Sequence, residues 1–397
     1  AGIRRKRLIE TALYVPQWAA HVEAALDQPD LAEAVWWFHA HTKDHRWMVD
    51  QAIRSAWQVQ VDERTPLSGQ ALLDGAVDVA WFKRIYAALG EEHWREIDRA
   101  AKYASGGGGH KRAQLFADAM TGRLDEAELI QRIRQKRHQD SVRALWLLPL
   151  PEGAGSDALI LERYLLIQEF LRGSRKFGSQ RQASEKLAAR IGMENLARTA
   201  DYADPQRLEW AMEAQAVADL ADGAVTVTAG DVSVSLVIDE WGAPQIKVVK
   251  NGRQLKAVPR KMKKEEEIAG LLARKKDIRQ QASRARLSLE AAMCRGDVFS
   301  VAELQELLKH PVLSPMLGQL VFVGVHDGDG PDKMGYPISG GRALERFDGS
   351  LKSLRSSDSV RIAHAHDLLL SGEWHLWQRE CFRRERIQPF KQVFREL

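Results

Sequence analysis

The sequence predicts a mainly α protein with a small antiparallel β-meander at its centre and a C-terminal α+β module. Three observations predict it. Apolar residues recur at helical spacing from Arg7 to Leu220, the signature of helices with one buried stripe. Between Val225 and Val258 the period switches to two, as strands require. Beyond Ser300, short apolar runs alternate with helix-start signals. The expected organisation is a helical region over 1–150, a second helical region with a basic loop over 151–222, the meander over 223–260, and a long charged helix with the α+β module over 261–397.

In chain order, Arg7 to Ala25 is helical with a break at Pro16, where the ring removes a backbone donor. Leu31 to His41 follows, with Val35, Trp36, Trp37 and Phe38 as a buried ridge. Helices are expected over Met48–Val61, from Ser68 as a cap, over Asp78–Leu89 and Glu91–Tyr103 on either side of Gly90, and over His110–Met120, Asp125–His138 and Asp140–Leu148. No fixed period links them, so the N-terminal region reads as an irregular helical-repeat array or an orthogonal bundle. Helices resume over Ala158–Leu171, Gln182–Ile191, Met193–Thr199 and Pro205–Leu220.

The strands read as Val225–Thr228, Val232–Ile238, Gln245–Lys250 and Leu255–Val258, with Asn251-Gly252 as the hairpin turn. Lys261 to Arg295 is one charged helix, and Ser300-x-x-Glu303 is a capping box opening Val301–Lys309. Leu320–Val325, Ala343–Phe347, Leu351–Leu354 and Val360–Ala363 read as strands, and Asp367–Ile387 as the closing helix.

Composition bounds the function classes. The 397 residues carry 58 basic and 54 acidic side chains, a net charge of +4, too small by itself to mark a nucleic-acid binder. Two cysteines, Cys294 and Cys381, cannot build a disulfide framework, so a reducing cytoplasm is expected. No apolar run reaches the roughly 18 residues a membrane helix needs. The chain opens at Ala1 in helix-like sequence, as a fragment of a longer protein would.

The first candidate site is the stretch from Leu171 to Ile191, where Arg172, Arg175, Lys176 and Arg181 surround Gly173 and Gly178 with no acid before Glu185, and Ser184 is placed to cap the helix that follows. Forked guanidinium groups and free backbone amides would hold a phosphate there. The alternative is that these cations pin neighbouring helices through Glu162, Glu169 or Glu185. A second anion-binding candidate is the glycine run ending in Gly108, Gly109, His110, Lys111 and Arg112, which lacks both the Walker and the dinucleotide pattern. For metal, His364, His366 and His375 form a C-terminal set, and His39, His41 and His45 an N-terminal one. Asp327-Gly328-Asp329-Gly330 resembles a calcium loop without its terminal Glu, and Glu185–Thr199 a helix-turn-helix turning at Gly192. No nucleophile motif is present, and the sequence leaves any cofactor open.

Several strings occur together and in order: AVWWFHAHTKD (34–44), DGAVDVAWF (74–82), AAKYASGGGGHKRAQLFADAM (100–120), RGSRKFGSQRQASEKLAARIGMENLARTA (172–200), LEWAMEA (208–214), EAAMCRGDVFS (290–300) and the run from Gly372 to Leu397. Along essentially its whole length the chain resembles the bacterial family called domain of unknown function 4132, the molybdate metabolism regulator-like proteins. That resemblance implies a piece of a longer protein, some relatives carrying a nucleic-acid-associated WGR domain, and it brings no activity with it. The expected function is a non-enzymatic scaffold or regulatory region that binds a protein partner, the missing domains of its own protein, or a phosphate-bearing ligand. The alternatives are part of an enzyme acting on a nucleotide or phosphate-bearing substrate, and a nucleic-acid-binding module.

Overall fold

The computed structural model describes residues 2–42, 49–105, 108–153, 155–221, 223–325 and 333–396. The fold is mainly α with an α+β C-terminal part, and it divides into two compact units, Ala1–Leu208 and Glu209–Leu397.

The first unit is built from α1 (Arg5–Tyr14), α2 (Ala19–Leu26), α3 (Leu31–Thr42), α4 (Gln51–Asp62), α5 (Gly69–Asp74), α6 (Val79–Ala101), α7 (Gly109–Met120), α8 (Glu126–Lys136), α9 (Gln139–Leu145), α10 (Gly155–Ser174) and α11 (Ser179–Thr199). Helix α3 is its centre and packs on α1, α2, α5, α6 and α7. The Trp37–Phe38 ridge meets Phe82 and Trp94 of α6 at ring separations of 4.9–5.5 Å, geometry that adds edge-to-face attraction to plain burial. Gly90 breaks α6 with φ +72°, as its position between two amphipathic stretches predicts. The expected division near residue 150 runs inside this unit, because α11 packs against both α9 and α10. The buried Asn195 amide strengthens that join: it accepts from Val77 N–H at 3.0 Å and donates to the carbonyls of Gly75 and Arg143 at 3.2 Å each.

Three local expectations are corrected here. Arg172 and Gly173 belong to the last turn of α10, so the basic loop is only 175–178. Ser184 is not a cap: α11 starts after Gly178, and the Ser184 hydroxyl donates to Arg181 O at 3.0 Å. Nor does Gly192 turn the chain, since α11 is continuous through it and the helix-turn-helix reading fails. Gly192 is small because α11 crosses Trp146 there; a Cβ would lie 2.3 Å from the indole Nε1.

Helix α12 (Pro205–Ala216) contains the division between the units. In the second unit, β1 (Val225–Ala229), β2 (Val232–Ile238), β3 (Pro244–Lys250) and β4 (Arg253–Leu255) form the expected antiparallel meander in sequential order. Asn251 (φ +47°) and Gly252 (φ +75°) make its last turn, so β4 begins at Arg253, two residues before the expected strand. Val232, Val234, Leu236 and Val248 face the core with Ile268, Ile278 and Leu289 of α13 (Glu266–Arg295).

A second antiparallel sheet follows, of β5 (Val298–Ser300), β6 (Phe322–Val325), β7 (Met334–Ile338), β8 (Ala343–Glu345), β9 (Leu351–Ser353) and β10 (Ser359–Ile362), in the order β5-β10-β6-β7-β8-β9. The sequence reading missed β5 and β7: the first is three residues long, and the second contains Gly335 and Pro337, residues that depress strand propensity. The Ser300–Glu303 capping box opens α14 (Val301–Leu307) as expected. Helices α15 (Leu313–Leu317), α16 (Ala365–Leu370) and α17 (Trp374–Arg383) complete the unit, the last two separated at Gly372 (φ +71°) where one closing helix was expected. Among the described residues no helix is long and apolar enough to cross a membrane.

Candidate functional site

The turn between α10 and α11 is organised from below by a carboxylate. Glu185 is fully buried on α11, and Arg137, in left-handed conformation at the end of α8, donates to it from Nε at 2.9 Å and from Nη2 at 2.6 Å. Nη2 also donates to Phe170 O at 2.7 Å, and the guanidinium lies 4.1 Å over the Phe170 ring. From above, Arg181 donates to the same carboxylate at 3.0 Å and stacks 3.8 Å over Phe177. Two guanidinium groups hold the Glu185 carboxyl down at about 2, since both favour its charged form.

This arrangement sorts the four expected cations. Arg181 is engaged internally with Glu185, the structural alternative the sequence allowed, and so supports the turn. Arg172, Arg175 and Lys176 are exposed. Among the described residues neither Arg175 nor Lys176 has a carboxylate within ion-pair distance. They stand beside the first turn of α11, which has neither a side-chain cap nor an acidic residue, so its free N–H groups add positive potential.

The second stretch is built differently. Gly108 (φ +87°) caps α7, but Gly109 is pressed on the end of α3: a Cβ there would lie 2.6 Å from Thr42 O. Its missing side chain serves helix packing. His110 is likewise committed, its Nε2 lying 2.8 Å from Asp98 O and 3.0 Å from Asp98 Oδ1, and the Asp98 hydrogen bond raises its pKa. Lys111 is exposed and Arg112 half-buried. Positive charge on Arg112 reaches buried His41, whose pKa is lowered to about 3, chiefly by burial and then by that charge. Helix α7 packs on α3, α6 and α9, and α11 on α5, α6, α9 and α10, so the helices that these two stretches open share α6 and α9 as neighbours.

The C-terminal metal reading is also corrected. Among the described residues no three His, Cys, Asp or Glu side chains are grouped as a metal ion would need. His364 instead caps α16, its Nδ1 accepting from His366 N–H at 3.2 Å while Asp367 accepts from His364 N–H at 2.8 Å. His366 and His375 are exposed. Cys381 is buried against the Tyr336 hydroxyl at 3.2 Å, and it and exposed Cys294 are both free thiols. His39 packs edge-on to Trp57, and His41 lies tilted against Trp37 with ring centroids 4.5 Å apart. His45 and the calcium-like stretch 327–330 lie outside the described residues, as do Gly106 and Gly107.

Sequence reasoning missed Arg137, which stands 48 positions from its partner; its only signal was a cation at a helix end. It also missed Gln392, fully buried, whose side chain pairs with Val321 N–H and with the carbonyls of Val321 and Ala363 at 2.8–2.9 Å.

Fold and site together define a helical body with a cationic turn, followed by an α+β unit of two antiparallel sheets. The chain belongs to a family of unknown function, DUF5724, whose model matches residues 1–212. Residues 252–397 match a domain of unknown function, DUF4132. The resemblance read from the strings therefore holds for the C-terminal ones, while those before position 201 fall in the other family. No curated protein and no solved structure matches the chain.

Proposed function

We propose that this chain is a non-enzymatic scaffold or regulatory region of a larger, cytoplasmic, molybdate metabolism regulator-like protein, and that it holds a phosphate-bearing ligand on the α10–α11 turn. One observation carries the reading. Arg175 and Lys176 stay exposed without carboxylate partners among the described residues, while the turn that presents them is clamped through Glu185, Arg137 and Arg181. A rigid backbone lowers the ordering cost of binding, and unspent cations beside a helix N-terminus favour a polyanion.

Replacing Arg175 and Lys176 together by Ala tests it against labelled inorganic polyphosphate and a short single-stranded oligonucleotide in anisotropy titrations. Losing two phosphate contacts lowers affinity at least about tenfold and flattens its salt dependence. The melting temperature should stay unchanged, because exposed cations contribute little to stability. Unaltered affinity for both probes, or an unfolded variant, would sink the reading.

A further inference from the structure

The second unit contains a small pocket that uses none of the residues discussed so far. It has a volume of about 180 Å³ and is lined by Trp241, Arg286, Pro315, Met316, Ile387 and Pro389. Its walls come from the β2–β3 turn, the start of α15, the exposed side of α13 and the C-terminal segment.

The walls are preset. Asp239 holds the β2–β3 turn by accepting from Trp241 N–H at 3.0 Å, Ala243 N–H at 2.8 Å and Gln245 Nε2 at 3.0 Å. Gly242 (φ +76°) lets this turn seat on the chain before α15, where a Cβ would lie 2.5 Å from Val312 O. Gln388 also borders the pocket, but its amide is spent on Gln319 O, Gln392 and Val393 N–H. Arg286 is exposed and, among the described residues, has no carboxylate partner; the acid one helical turn on, Glu290, is taken by Arg395 at 2.8 Å.

We infer that this pocket binds a small carboxylate with a flat or branched apolar body, the apolar part between Trp241 and the two prolines and the carboxylate on Arg286. An unpaired guanidinium recognises a carboxylate by its forked donors. Size decides the body: at about 180 Å³ the space falls below the ~300–1,000 Å³ of drug-sized sites, so it encloses one ring or one branched chain and is too small to bury a nucleotide. That ligand chemistry could come from a free organic acid or from the C-terminal residue of a peptide.

The test uses the whole chain with ¹³C-methyl methionine, because the Met316 methyl reports from the pocket wall and Met316→Leu assigns its signal. Phenylacetate and isovalerate are titrated against their uncharged amides, and Gly-Gly-Phe against the same peptide amidated at its C-terminus. The acids should shift the Met316 signal, the amides should not, and Arg286→Gln should weaken the acids at least about tenfold. Tighter binding by Gly-Gly-Phe than by phenylacetate assigns the peptide source; the reverse assigns the free acid. Equal binding of acids and amides, a response unchanged in Arg286→Gln, or no Met316 shift with any acid at millimolar concentration overturns the proposal. Because the readout lies in the second unit, it stands or falls separately from the α10–α11 turn.

Discussion

Arg137 at the end of α8 and Glu185 within α11 form a two-pronged ion pair, 2.9 and 2.6 Å long, beneath the turn that carries exposed Arg175 and Lys176. The carboxylate has no exposed surface and the arginine little. The pair is therefore a structural bolt, and it separates the cations that hold the fold from those left for solvent or ligand.

Glu185→Gln should destabilise the chain by about 3–5 kcal/mol, because removing one partner leaves a buried charge uncompensated. Its pH signature follows from the depressed carboxyl. The stabilisation is present above the ordinary value of 4.5 and is lost as pH falls towards about 2. Urea midpoints of the two proteins should differ widely at neutral pH and converge through that acid window. A constant difference would rule out the ion pair as its source.

His41 gives a second pH effect. Its ring nitrogens are buried without hydrogen-bond partners among the described residues, and burial with the nearby Arg112 charge lowers its pKa from 6.5 to about 3. Between those values the unfolded chain binds a proton that the folded chain refuses, so stability rises with pH across the window and is fully present above 6.5. His41→Phe should flatten this part of the melting-temperature profile. An unchanged profile would show that another group sets the slope.

Two helical glycines should respond in opposite directions to alanine. Gly270 lies on the exposed side of α13 with no atom within 4 Å of a built Cβ, so Gly270→Ala should add up to about 1 kcal/mol through helix propensity. Gly192→Ala drives a methyl into Trp146 and should cost about 1–3 kcal/mol. Chemical denaturation of both variants checks the contrast, and a stabilising Gly192→Ala would mean that α11 and the indole separate freely.

Gln392→Ala should loosen the C-terminal segment. It leaves one buried N–H and two carbonyls without their side-chain partner, at about 1–3 kcal/mol for each group left unsatisfied. Hydrogen exchange should quicken first at Val321 N–H. Protection equal to that of the native chain would show the bond to be dispensable.

The sequence by itself determined what depends on near neighbours: the periodicity of the helices, the hairpin at Asn251-Gly252, the break at Gly90 and the capping box at Ser300. Each follows from residues a few positions apart, acting through backbone conformation or a single turn of helix. Only the tertiary structure decided which charges are free. Arg175 and Arg181 read alike in sequence, yet one faces solvent and the other closes on Glu185 one helical turn on, a carboxylate whose burial and second partner, Arg137 from a helix end 48 residues away, only the fold supplies. The same holds for Gly109 and Gly192, which resemble a loop glycine and a turn glycine until Thr42 and Trp146 come against them. Ion pairing and close packing depend on distance in space, and periodicity along the chain carries no record of which distant segment will come to lie against a given residue.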